Sequence, residues 1–386
     1  MGGACGDEAE PLPGAGLLRV PQGPWKVDGE DAREIHSRNA CHGDGAGGDS
    51  IRRHSGEGSA PTPMMDGRNS VAARGAAGAR GVAAAVALLA LLLPFAAGAA
   101  DVRVFNTANG LPSDWVTSLA PDPGGKLWVG TGNAGVYLFE PATGKGKGYR
   151  VSDGLSSDEI TSIALFRGKV YVGTAAGLSV FDGSKWESIS RIENVTLRNV
   201  RLAASPDGKE LWACSVYLAG GTVRFDGTNW KFKGGKGRGL FNDIEDFAFL
   251  SSGVVMAGGS GVPYLYAGDD VKVIGGGLPP MSLYAVAERG ETLLLGSSRG
   301  LYGYDGNWKE IPLPPALAGS SVFSIAVRGG RAVAGSDRGI ALLSNGTVRF
   351  LSRKEGLPAD RVTTVAFLDG AIAAGTARGL AVIANW

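Results

Sequence analysis

Three arginines, Arg299, Arg338 and Arg378, each stand one residue before a glycine in consecutive copies of a repeated phrase. Guanidinium groups gathered in this way could grip a carboxylate, a phosphate or a sulfated sugar through paired hydrogen bonds. The same spacing also suits three unrelated braces, each Arg paired with a neighbouring Asp such as Asp337 or Asp360, and the two alternatives stay open at the level of sequence. Around them the chain offers further polar and aromatic side chains at loop positions: Asp114, Trp115, Asp158, Arg198, Tyr217, Asp243 and Arg361. Trp115 and Tyr217 could stack a sugar ring or a partner's side chain, or serve as core.

Catalytic chemistry finds little support. The three histidines, His36, His42 and His54, all precede residue 100, so beyond it there is no Ser/His arrangement and no His-containing metal set. Adjacent carboxylates occur at Asp158-Glu159, Glu245-Asp246 and Asp269-Asp270, and read as solvated surface, because a hydrolase needs two placed across a cleft. Gly234-Gly-Lys-Gly-Arg-Gly239 misses the phosphate-loop spacing and no helix follows it. It reads as a flexible loop, and Lys231, Lys233, Lys236 and Arg238 as a solvated basic edge. No cofactor and no metal are expected.

The elements that must position these side chains repeat about every 40 residues. Apolar first strands begin near Val116, Ile160, Val200, Ile244, Leu283, Val322 and Val362, each followed by a second strand ending in small residues, a glycine and a third strand. That period, with no helical pattern, predicts an all-β fold, a seven-bladed β-propeller of four strands per blade. Asp182-Gly183, Asp226-Gly227, Asp305-Gly306 and Asn345-Gly346 read as tight hairpin turns. Trp186, Trp230 and Trp308 follow three of these turns and read as packing between blades. The last repeat ends after its third strand. Val102-Arg-Val-Phe105 with Gly110-Leu-Pro112 matches Val348-Arg-Phe350 with Gly356-Leu-Pro358, so the N-terminal strand is expected to supply the missing outer strand and remove an open edge.

In such a ring, the loops between blades and those between second and third strands share one face around the channel mouth. All the site candidates above fall on that face.

The first hundred residues read differently. Residues 1–63 show no apolar period and are expected to be a disordered or untranslated extension. Residues 64–100 carry Arg68, Arg74 and Arg80, then an uncharged apolar run from Gly81 to Phe95, then Ala97-Gly98-Ala99. This is the layout of a secretory signal peptide. The same stretch is also about the minimum length for a membrane anchor, although Pro94 and the small-residue tail favour cleavage. Residues 1–100 hold 9 of the 38 Lys+Arg and 11 of the 37 Asp+Glu, leaving 29 and 26, a net +3. That field is too weak to argue a nucleic-acid partner. Of three cysteines only Cys214 lies beyond residue 100, so an internal disulfide is excluded there and the core must hold the domain.

Gly110-Leu-Pro-Ser-Asp-Trp-Val-Thr-Ser-Leu-Ala-Pro-Asp-Pro-Gly-Gly-Lys-Leu-Trp-Val-Gly-Thr131 resembles the two-component regulator propeller repeat of bacterial sensor ectodomains. Weaker copies run from Gly154 to Thr174 and from Gly356 to Thr376, with fragments at Gly239-Leu-Phe-Asn-Asp243 and Gly277-Leu-Pro279. The resemblance implies a periplasmic or extracellular ligand-sensing propeller, often one of a pair. Its partners would be a small molecule or glycan, anionic if the arginines act together, and a membrane sensor protein. Because the sequence shows no kinase, span or DNA-binding module after Trp386, a stand-alone binding module is the expectation. A periplasmic or cell-surface interaction scaffold is the alternative.

Overall fold

The computed structural model describes residues 100–216, 221–233, 243–259, 261–268, 270–344 and 346–385. The expected extension and signal peptide, Tyr217, and the glycine-rich loop at 234–239 lie outside them. No helix of the described residues is long and apolar enough to cross a membrane.

Seven four-stranded antiparallel sheets account for nearly all the described secondary structure, in a seven-bladed β-propeller. The first blade shows the pattern: Val116–Asp122, Lys126–Thr131, Val136–Glu140 and Lys145–Tyr149, neighbours in sequence being neighbours in the sheet. The first strands of the other blades run Ile160–Phe166, Val200–Ala204, Ile244–Leu250, Leu283–Arg289, Val322–Arg328 and Val362–Leu368. All seven starts coincide with the sequence expectation. Each first strand adjoins those of the blades on either side, and that of blade seven adjoins that of blade one, so the ring closes. A small hairpin, Arg191–Ile192 with Val195–Thr196, is added between blades two and three.

The seventh sheet takes its outer strand from Asp101–Phe105, paired antiparallel with Gly379–Ala384 from Asp101 opposite Ala384 to Phe105 opposite Leu380. The seam is packed as well as hydrogen-bonded: Phe105 meets Phe139 of blade one edge-on, with ring centres 4.9 Å apart.

Apolar side chains lie on both faces of the inner strands because both faces are covered by a neighbouring blade. The buried residues accordingly fall into seven clusters, one at each blade-to-blade junction. Glycines ending the second strands let adjacent blades approach. A Cβ on Gly130 would lie 2.6 Å from Ile160, and one on Gly375 would lie 2.5 Å from Val116 across the ring seam. Trp186 packs edge-on against Trp128 and Tyr149 of blade one, and the Trp308 indole donates to the Ile274 carbonyl of blade four. Cys214 is fully buried, and burial pushes its thiol up to about 12, leaving it inert.

The aspartate-glycine turns differ from the expected two-residue hairpins. Gly183, Gly227 and Gly306 take positive φ, but the preceding aspartates do not. Instead the Asp182 carboxylate accepts from the Ser184 and Lys185 backbone N–H groups at 2.8 and 2.9 Å, and Asp226 does the same for Thr228 and Asn229. The side chain organises a four-residue loop that a type I′ turn would have closed in two.

Candidate ligand site in the axial channel

Each first strand opens with a buried apolar residue, Val116, Ile160, Val200, Ile244, Leu283, Val322 or Val362, wedged between blades. In six of the seven blades the ladder skips the next residue: Val116 and Ser118 pair with consecutive partners, as do Ile160 and Ser162, Ile244 and Asp246, Leu283 and Ala285, Val322 and Ser324, Val362 and Thr364. Such a bulge re-aims the skipped side chain. Here Thr117, Thr161, Glu245, Tyr284, Phe323 and Thr363, with Arg201 of the unbulged third blade, line an axial cavity of about 400 Å³. The size suits a small ligand.

The wall has three chemically distinct sectors. In blades seven, one and two the lining hydroxyls are committed to the next blade: Thr363, Thr117 and Thr161 donate to the carbonyls of Val116, Ile160 and Val200, each at 2.7 Å. In blades three and four Arg201 donates from Nε to Glu245 Oε2 at 2.8 Å and from Nη1 to the Thr161 carbonyl at 2.7 Å. In blades five and six Tyr284 and Phe323 form an aromatic pair, ring centres 5.3 Å apart. The Arg361 guanidinium lies over the Phe323 ring, 4.8 Å from its centre.

Glu245-Asp246 is therefore channel wall and not the solvated surface expected from sequence. Asp246 accepts from the Val286 N–H of blade five and from the Phe247 N–H, both at 2.9 Å. It lines the cavity half-buried, and burial raises its carboxyl to about 6, against the opposing pull of those two N–H groups and of Arg201, while Glu245 adds to the rise.

At the mouth, three of the interblade loops share one device. Asp114, Asp158 and Asp360 each accept a hydrogen bond from the backbone N–H seven residues earlier, that of Thr107, Val151 and Arg353, at 2.7, 2.8 and 2.9 Å. Arg150 also pairs with Asp158 at 3.2 Å. These carboxylates fold their own loops. The residue after each clamp, Trp115, Glu159 or Arg361, then projects into the mouth, and all three line the cavity. The Trp115 indole lies over Gly132, where a Cβ would come within 2.3 Å of the ring atoms, and remains 47% exposed.

The sequence candidates thus divide. Trp115 and Arg361 are brought together in the channel, with Asp114 and Asp158 as clamps beneath the mouth. Arg299, Arg338 and Arg378 each fix their own tight loop, the backbone N–H donating to Ser297, Ser336 or Thr376. Their side chains are exposed and line no part of the channel. Among the described residues none of the three forms an ion pair, and Arg338 donates to the Ala318 carbonyl at 3.1 Å. Asp337 accepts from the Ser321 N–H, Arg198 is exposed, and Asp243 is half-buried beside Gly259. Tyr217 lies outside the described residues.

The bulged residues escaped the sequence reading, although a signal was present. At that one repeat position the residues run Thr, Thr, Arg, Glu, Tyr, Phe, Thr, while the residue before is always Val, Ile or Leu.

Residues 110–133 match the two component regulator propeller family. No curated protein matches the chain. Among solved structures, the extracellular domain of a hybrid two-component system from B. thetaiotaomicron superposes with a TM-score of 0.62 at 17% identity, covering 74% of this chain and 42% of that one. The extracellular domain of a one-component system from the same organism gives 0.59 at 17%, covering 73% and 39%. The chain thus spans about two fifths of the length of those domains. A catalytically inactive virginiamycin B lyase from Staphylococcus aureus gives 0.58 at 11%, covering 74% and 99%. Residues 110–133, the lead-in and first two strands of blade one, are thus similar to the two-component regulator propeller repeat, and the ring has the fold found in the extracellular domains of those two-component and one-component systems.

Proposed function

We propose that the chain is an exported, non-catalytic sensing propeller that binds a small molecule or glycan at the mouth of the axial channel. One observation carries this: Trp115, 47% exposed, holds its indole face open at the rim of a concave cavity that also presents Arg361 and the Tyr284–Phe323 pair. A flat aromatic surface beside a fixed guanidinium is suited to holding a ring and orienting its polar substituents. Export is supported by the signal-peptide layout before residue 100 and by the extracellular origin of the similar sensor domains. Binding without turnover is supported by the engagement of the deeper carboxylates, Glu245 with Arg201 and Asp246 with two backbone N–H groups. The bound state would be read by a membrane sensor partner.

The other large exposed hydrophobics among the described residues, Val151 and Phe232, lie on separate blades. They do not join into a flat apolar face, which favours the channel over the scaffold reading.

The test is a library of small molecules and glycans screened against protein labelled with 15N at tryptophan, following the Trp115 indole N–H. A ligand that shifts this signal, and whose binding is lost in Trp115→Ala at unchanged melting temperature, supports the proposal. Ligands that bind Trp115→Ala as well as the native chain refute it. N-terminal sequencing of the secreted protein tests export.

A further inference from the structure

The mouth carries an ordered set of charges. Arg361, Trp115 and Glu159 hold the same repeat position in blades seven, one and two, so they succeed one another along one arc of the rim. All three are exposed and line the same cavity. Each follows a clamped aspartate, so its backbone is held in place before any ligand arrives. The neighbouring acids Asp114, Asp158 and Asp360 are engaged by their own loops, whereas the Glu159 carboxylate has no hydrogen-bond or ion-pair partner among the described residues. The Arg361 guanidinium stacks on Phe323 and likewise forms no ion pair among the described residues. A free anion and a free cation therefore flank an open indole face.

We propose that the ligand is a short zwitterionic peptide with free termini, its ammonium on Glu159, its body across Trp115 and its carboxylate on Arg361. This rests on the channel-mouth reading and names the ligand class for it. The spacing supports a peptide over a single amino acid. Glu159 and Arg361 stand two blades apart, and faces of packed sheets are separated by about 10 Å. A ligand that meets both charges must therefore extend across Trp115, as a peptide of two or more residues does at roughly 3.3–3.6 Å per residue. An amino acid, with both charges on one carbon, can satisfy only one end. The pairing also selects against simple anions and cations, each of which would leave one rim charge facing a like charge or nothing.

The probe is the dipeptide alanyl-phenylalanine, compared by calorimetry with its N-acetyl form, its C-terminal amide and free phenylalanine. Each cap removes one charge-assisted contact and is expected to weaken binding about tenfold or more. In Glu159→Gln acetylation should cost nothing further, and in Arg361→Gln amidation should cost nothing further, with each variant still sensitive to the other cap. Both side chains are exposed, so circular dichroism and melting temperature should be unchanged. Equal binding of capped and uncapped forms overturns the inference, as does a neutral oligosaccharide that shifts the Trp115 signal where the dipeptide does not. In that second case the channel-mouth reading survives. If neither charged nor neutral probes reach Trp115, both readings fall.

Discussion

Asp246→Ser should stabilise the propeller at neutral pH and abolish much of its pH dependence. Asp246 and Ser324 occupy the same place in blades four and six, and each accepts from a backbone N–H of the next blade, Val286 at 2.9 Å and Val365 at 3.1 Å. Serine does this without charge. Burial moves the aspartate from 3.8 to about 6, which at 1.36 kcal/mol per pKa unit corresponds to about 3 kcal/mol. The carboxyl keeps some contact with channel water, so the realised figure is about 1–2 kcal/mol. The sign follows from the raised value. The folded state favours the protonated form, so this group's contribution is fully present below about pH 4 and is lost as pH rises through about 6. Urea unfolding of both proteins from pH 4 to 7.5 is the assay. The native chain should lose about 1–2 kcal/mol over that range relative to the variant, and the variant should be the more stable at pH 7.5, by about 2–4 °C in melting temperature. A variant that is less stable at pH 7.5 with an unaltered pH slope would refute this account of Asp246.

Phe105→Ala should cost about 3–5 kcal/mol in urea unfolding, since it removes a buried ring from the seam that shuts the seventh sheet. Gly132→Ala should force the indole of Trp115 off the loop, altering its NMR signal and weakening any channel ligand while leaving far-ultraviolet circular dichroism intact. Asp158→Ala should speed amide exchange at Val151 and cost about 1 kcal/mol in stability, since it removes the loop hydrogen bond and the exposed pair with Arg150. Replacing Arg299, Arg338 and Arg378 together by alanine should leave binding at the channel mouth within twofold, measured by calorimetry with whichever ligand shifts Trp115.

The radial array was legible because its signals are local and repeated. Apolar runs, second-strand glycines and aspartate-glycine pairs recur with the period of one sheet, and the stacking of sheets needs those residue types wherever backbones approach, as at Gly130 and Gly375. The site was less legible for two physical reasons. A bulge is a relation between two strands, so nothing local at Thr117 or Tyr284 announces that the ladder skips it. A carboxylate on a loop also looks alike whether it faces a ligand or its own backbone: Asp158 and Glu159 are adjacent, yet one folds the loop and the other opens on the cavity. The arginines illustrate the same limit. Their equivalence along the chain is real, but each stands exposed on its own loop and none lines the cavity.

The aspartate clamps bear on how this ring could change its preferences. Each fixes its loop through a backbone N–H and without the side chain that follows, so that side chain can be exchanged without disturbing the post on which it stands. The rim behaves as a row of independent sockets, three of them held rigid, and selectivity can be rewritten one blade at a time while the surrounding sheets stay as they are.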